Sequence, residues 1–142
     1  MATRSYSPDA YEPESGNAMR LSENEFADLV SEALDVIPEP LVAYMREVAV
    51  DVQPIPDART CKEAGISDPR TLLGLYRGTP LTRRSVEHSG RLPDRIIIYQ
   101  HNIERRCHTR RQIIRQIRKT VFHEVGHHFG LSEDDLQDLG YQ

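Results

Sequence analysis

Positions 123 to 130 read HEVGHHFG, and no other run in the chain pairs residue types and spacing so well suited to chemistry. In a helix that rises about 1.5 Å and turns about 100° per residue, His123 and His127 fall one turn apart on the same side. Neutral imidazole nitrogens bind Zn²⁺ at about 2.0–2.1 Å, and two of them leave coordination positions for a third protein ligand and a water. Glu124, next to the first imidazole, is placed to take a proton from that water. An ion that polarises a carbonyl beside a carboxylate that handles protons is equipment for hydrolysing peptide bonds.

The run closes at Gly130, the residue type that accepts φ > 0 and turns a chain sharply after a helix. Three residues on stands Glu133, followed by Asp134. Either carboxylate could complete the ligand set: Glu133 where the turn would deliver it, Asp134 by swinging in. Both also have a purely structural use. Ser132-Glu133-Asp134-Asp135 is a good helix start, with Ser132 as N-cap, acids at the positive end of the dipole and Asp135 at the capping-box distance. His128 projects about 100° away from His127 and reads as a packing or supporting residue. Gly126 costs roughly 1 kcal/mol of helix propensity relative to alanine, which makes sense where another element approaches closely or a metal needs room.

Three fixed residues in five are a moderately specific signal, so the setting matters. Ile113, Ile114, Ile117, Val121, Phe122, Val125 and Phe129 recur at helical spacing on both sides of the histidines. They predict a helix over 110–130, capped by Thr109 and buried nearly all round. Further upstream, Ser22 and Glu25 form a capping box, and Phe26, Leu29, Val30, Ala33, Leu34 and Ile37 continue a helix until Pro38 stops it. A short helical turn is expected within 40–47 and a strand over 48–52. The segment 59–69 reads as loop with one helical turn. Leu72 to Arg77 reads as a second strand, in which Gly74 marks a close approach or a bulge. After the turn signal Gly78-Thr79-Pro80, residues 81–93 are polar and read as a surface loop. Arg95 to Tyr99 holds three consecutive isoleucines and predicts a central strand covered on both faces, and a short helix is expected around 102–107. Residues 1–20, rich in Ser, Pro, Glu and Tyr and without periodicity, read as a tail.

At 142 residues the chain has material for one core, so a single domain over 21–142 is expected. No apolar run approaches the 18 or more residues of a membrane span, and the N-terminus lacks the apolar stretch of a secretory signal. A cytoplasmic protein is the resulting expectation. Cys61 and Cys107 stand far apart with no Cys-x-x-Cys spacing, the pattern of reduced, structural cysteines. Arg105, Arg106, Arg110, Arg111, Arg115, Arg118 and Lys119 form a basic segment in a chain of net charge −4. That asymmetry suits an anionic partner such as RNA, but no interleaved aromatics offer a stacking platform, so nucleic acid is the weaker reading.

The run HEVGHHFGLSEDDLQDLGY, with the upstream segments LLGLYRGTPLTRRS and LPDRIIIYQHNIER, closely resembles the mini-zincins, small single-domain bacterial zincin-like metallopeptidases, over roughly residues 21–142. The resemblance implies an α+β fold, a small twisted mixed sheet of about three strands with the active-site helix packed against it, in agreement with the elements above. It implies one zinc per chain, held by His123 and His127 with Glu124 as general base. The family pattern has Asp at the third-ligand position, where this chain has Glu133; Asp134 is the alternative. It further implies an edge strand above the active-site helix, here assigned to Leu72–Arg77, that takes a peptide or unfolded segment as an added strand. A Tyr or His donor near the metal is also implied. Tyr141 is the candidate, with Tyr99 and His101 behind it, although an aromatic that anchors the last helix explains Tyr141 equally simply. Two alternatives stay open: an inactive zincin-like interaction module, and a homodimer through an exposed apolar edge.

Overall fold

The computed structural model of the protein describes residues 19–37, 41–78 and 94–138, the side chain of Glu133 excepted. Nearly all of the expected tail, the polar loop of 81–93 and Tyr141 lie outside the described residues. Helix α1 (Glu23–Leu34) is set by a reciprocal capping box, in which the Glu25 N–H donates to Ser22 Oγ at 3.1 Å and the Ser22 N–H to Glu25 Oε1 at 2.9 Å. Its periodic residues Phe26, Leu29, Val30 and Ala33 are all buried. There follow α2 (Leu41–Met45), β1 (Val48–Gln53), α3 (Ala58–Ala64), a 3-10 turn (Pro69–Thr71), β2 (Gly74–Arg77), β3 (Asp94–Tyr99), α4 (Gln100–Glu104), α5 (Arg110–His128) and α6 (Glu133–Asp138).

The strands form a three-stranded mixed sheet in the order β1-β3-β2, with β1 parallel and β2 antiparallel to β3. The isoleucine run is therefore the centre, as its unbroken apolar character predicts. Alternation sorts its side chains. Ile96 and Ile98 join Phe26, Leu73, Ile113, Ile117, Val121, Phe122 and Val125 in the main core under α5 and α1. Ile97 and Tyr99 point to the other face, where they pack with Leu72. These helices over a mixed sheet are the α+β architecture expected from the sequence.

Several elements differ from the sequence reading: α1 ends at Leu34, short of Ile37, with Asp35 as its C-cap, and β2 begins at Gly74 rather than Leu72. Residues 58–64 form a full helix rather than loop with one turn, because Asp57 caps it by accepting the Thr60 N–H at 2.8 Å and Gly65 ends it at φ 71°. Helix α4 follows β3 without a break and begins at Gln100, two residues before the expected start. Helix α5 is buried on one side and through its middle rather than nearly all round: Ile113, Ile117, Thr120, Val121 and Phe122 are buried, while Arg110, Arg111, Arg115, His127 and His128 are exposed. Part of its basic charge knits the molecule together, since Arg110 pairs with Glu25 at 3.3 Å and the Arg118 Nε–H donates to the Ala33 carbonyl at 3.3 Å. The main chain joins the fold already at Met19, whose N–H donates to the Cys107 carbonyl at 2.9 Å. Cys61 and Cys107 are both buried and are not joined in a disulfide. No helix among the described residues is long and apolar enough to cross a membrane.

Candidate metal and catalytic site

The C-terminal half of α5 presents the motif. Val121, Phe122 and Val125 are fully buried and fix the rotation of the helix. His123 and His127, one turn apart, then point to one side, with ring centroids 5.0 Å apart and planes tilted by 49°. Two imidazoles sharing one ion at about 2.0–2.1 Å with a near-tetrahedral angle have ring centres roughly 5 Å apart. The spacing of the pair and its nitrogen donors therefore fit zinc.

Glu124 is 6% exposed, and burying a carboxylate is costly unless hydrogen bonds replace its water. One such bond comes from the sheet: the Tyr76 N–H donates to Glu124 Oε1 at 3.1 Å. The strand register explains why that amide is turned toward the helix. Tyr99 N–H donates to the Leu73 carbonyl, and Gly74, Leu75 and Tyr76 face Ile98, Ile97 and Ile96 in turn. In an antiparallel pair the hydrogen-bonded positions alternate, so Leu73 and Leu75 bond to β3 while Gly74, buried, and Tyr76, half-buried, direct their backbone groups away from β3. Strand β2 is thus the edge strand at the site, as assigned from the sequence. It reaches α5 because Gly74 has no side chain: a Cβ there would lie 2.6 Å from Thr120 Cγ2. The close approach expected at this glycine is real.

Tyr76 also gathers residues that the sequence reading did not connect. Its hydroxyl donates to Asp94 Oδ2 at 2.7 Å. Its ring stacks on His128, with centroids 3.9 Å apart and planes 17° from parallel, and His128 Nε2 lies 3.8 Å from Asp94 Oδ2. Phe129 meets His128 edge-on at 5.0 Å and stacks on Tyr44 at 4.5 Å. The supporting role read for His128 is seen here, although only its position next to His127 hinted at it.

On the far side, Gly130 takes φ 84° and turns the chain into α6. Ser132 and Asp135 form a reciprocal cap, Asp135 N–H to Ser132 Oγ at 3.1 Å and Ser132 N–H to Asp135 Oδ2 at 2.9 Å. Gly126 receives Leu136 of α6, whose Cδ2 would lie 2.8 Å from a Cβ; close approach accounts for this glycine. Glu133 is the first residue of α6, while its side chain lies outside the described residues. Asp134 is exposed. Among the described residues no three His, Cys, Asp or Glu side chains are gathered as a metal-ligand set. The structure therefore brings together His123, His127, Glu124 and the β2 edge, and packs Leu136 of α6 against Gly126 of the same helix. It separates Tyr99 and His101 from the site. The Tyr99 phenol is buried on the opposite face of the sheet, and His101 sits in α4, beyond the end of β3 opposite Asp94.

Residues 45–141 match the family model described as zincin-like metallopeptidase; α1 lies outside the match, although it supplies part of the main core. No curated protein matches the chain significantly. With the family model spanning β1 to beyond α6, more than half of the chain, the chain belongs to the zincin-like metallopeptidase family.

Proposed function

We propose that the protein is a zinc-dependent metallopeptidase that cleaves peptides or unfolded segments. One observation carries the reading: the buried carboxylate next to a pair of imidazoles 5.0 Å apart is bonded to an amide of the sheet's edge strand. His123 and His127 hold the ion, with Glu133 or Asp134 from the start of α6 as third ligand and one zinc per chain. When bound, zinc lowers the pKa of water to about 7 and polarises the scissile carbonyl. Glu124 takes the proton of the attacking water and returns it to the leaving amine nitrogen. The outer edge of β2 aligns the substrate through backbone hydrogen bonds other than that of the Tyr76 N–H, which Glu124 holds. Such recognition is tolerant of sequence, because main-chain groups are common to every peptide.

The test has two stages. Purified protein stripped of metal and reloaded is expected to hold about one zinc, lost in His123→Ala. Hydrolysis of an unstructured peptide library, read by mass spectrometry, is expected to depend on zinc and to disappear in Glu124→Gln. Zinc retention by His123→Ala at wild-type affinity, or full activity in Glu124→Gln, would defeat the proposal. Glu133→Ala and Asp134→Ala decide the third ligand by which of them weakens zinc binding.

A further inference from the structure

We propose that Tyr76 is a positioning residue for Glu124: its backbone N–H fixes Oε1, and its side chain, held by Asp94 and His128, fixes that N–H. The inference rests on the reading of Glu124 as general base and adds the device that orients it. A glutamate side chain has rotatable bonds to spare, and a base that must alternate between a water and a leaving nitrogen needs one oxygen anchored. The Tyr76 amide is 3.1 Å from Oε1 and anchors that oxygen.

An edge-strand amide is a poor anchor if the strand can swing. Strand β2 is four residues long and bonded to the sheet along one side only. Contacts at Tyr76 and just beyond it hold the strand. The hydroxyl reaches Asp94 Oδ2 at 2.7 Å, and Asp94 opens β3, the central strand. The ring lies against His128 at 3.9 Å, one residue beyond His127 on α5 itself. Gly78, two residues on, lets the strand's end sit close to the same imidazole, with a Cβ there only 3.1 Å from His128 Cε1. Tyr76 thus ties the edge strand both to the sheet centre and to the helix that carries the base. Its phenol and its amide act on different partners, so a change at the ring reads out at the carboxylate.

Hydrogen exchange on zinc-free protein tests this without relying on turnover. The Tyr76 amide is expected to exchange about ten-fold or more faster in Glu124→Ala than in wild type, the scale set by losing one hydrogen bond to a charged group. The Leu75 amide, paired to β3, is expected to stay unchanged. Glu124→Gln, whose amide oxygen can still accept, should keep most of the protection. Tyr76→Phe retains the ring and loses the Asp94 bond; it should speed exchange at its own amide and lower kcat several-fold at constant KM and zinc content. Equal Tyr76 exchange in wild type and Glu124→Ala, with Leu75 protected in both, overturns the proposal. So does a Tyr76→Phe protein with wild-type exchange and kcat. Full hydrolysis by Glu124→Gln overturns the general-base reading and the catalytic part of the proposal with it, and is told apart because the exchange pattern then survives.

Discussion

Gly74→Ala is the sharpest test of how the edge strand is set over the helix. The backbone at Gly74 is ordinary strand, so the substitution introduces no forbidden dihedral; its effect is steric. A Cβ would meet Thr120 Cγ2 at 2.6 Å and the Ile97 carbonyl oxygen at 3.2 Å. Carbon atoms in contact prefer about 3.5–4.0 Å, so the overlap with Thr120 is about 1 Å. Thr120 is fully buried, so its methyl has nowhere to retreat and β2 must lift. Overpacking of this kind costs about 1–3 kcal/mol, or a fall in Tm of roughly 3–15 °C for a domain of this size. The same lift draws the Tyr76 amide from Glu124, and misplacement of about 1 Å can cost up to 10²-fold in rate. Thr120→Ser supplies the control. It removes Cγ2 and keeps the hydroxyl that accepts from Gln116 Nε2 at 3.2 Å, at a cost of about 1 kcal/mol for the lost methyl. In the double variant the two costs should fail to add by about 1 kcal/mol or more, with rescue incomplete because the Ile97 oxygen remains close. Denaturant unfolding of the four proteins measures this coupling. A neutral Gly74→Ala, or strictly additive effects, would refute the claim that contact between this glycine and Thr120 sets the height of β2.

Gly126→Ala presses on Leu136, whose Cδ2 would lie 2.8 Å from the new methyl. The flexible leucine can yield and alanine favours the helix, so stability is expected to change by less than about 1 kcal/mol while the start of α6 shifts and zinc affinity falls; calorimetry measures both. The Tyr99 hydroxyl is buried with no hydrogen-bond partner among the described residues, and burial raises its pKa. A raised folded-state pKa means stability that is present below the ordinary phenol value near 10 and lost as pH rises through the elevated one. Tyr99→Phe should therefore be stabilised by about 1 kcal/mol at neutral pH and should lose the alkaline decline, seen in unfolding midpoints from pH 8 to 11. Glu25 shows the opposite sign: the Ser22 backbone N–H, then the Ser22 hydroxyl and Arg110, hold its carboxyl below the usual range. Its contribution is present above the ordinary glutamate value and lost as pH falls through the lowered one. Glu25→Gln, which preserves the cap, should be less stable than wild type at pH 6 and converge on it in acid, as urea midpoints will report.

What could be read from the sequence follows from how local each signal is. The capping box at Ser22 and Glu25, the isoleucine run of β3 and the spacing of His123, Glu124 and His127 each lie within one element, where period and cap chemistry decide. Gly74 and Gly126 announced close approaches, though not the partners, Thr120 and Leu136. Helix α3 was hidden because ARTCKEA has no apolar period; its cap at Asp57 and its stop at Gly65 were the only signs. The contact of Glu124 with Tyr76 spans 48 residues and depends on which β2 amides face outward. A register shift of one residue would reverse that, and nothing in the strand's own four residues specifies it. The cluster of Tyr76, Asp94 and His128 was illegible for the same reason: it forms only once β2, β3 and α5 have been placed.

Helix α5 serves as both core element and site, and the magnitudes say which role dominates its placement. Ile113, Ile117, Val121, Phe122 and Val125 are all fully buried, and burial of such side chains contributes about 1.5–3 kcal/mol each, as an upper estimate. Their sum, roughly 8–15 kcal/mol, exceeds the few kcal/mol that burying a hydrogen-bonded carboxylate costs. The core can thus impose Glu124 on an unfavourable environment. It follows that Glu124 is retained against stability rather than for it, and Glu124→Met separates the two roles. Methionine fills the space and removes the desolvation cost, while the half-buried Tyr76 amide loses its bond to Oε1. Stability is expected to stay within about 1 kcal/mol of wild type or to rise, while hydrolysis disappears. A loss of several kcal/mol, measured by denaturant unfolding of the zinc-free protein, would mean instead that the carboxylate is a structural strut between α5 and β2, and that its place beside the histidines needs no catalytic explanation.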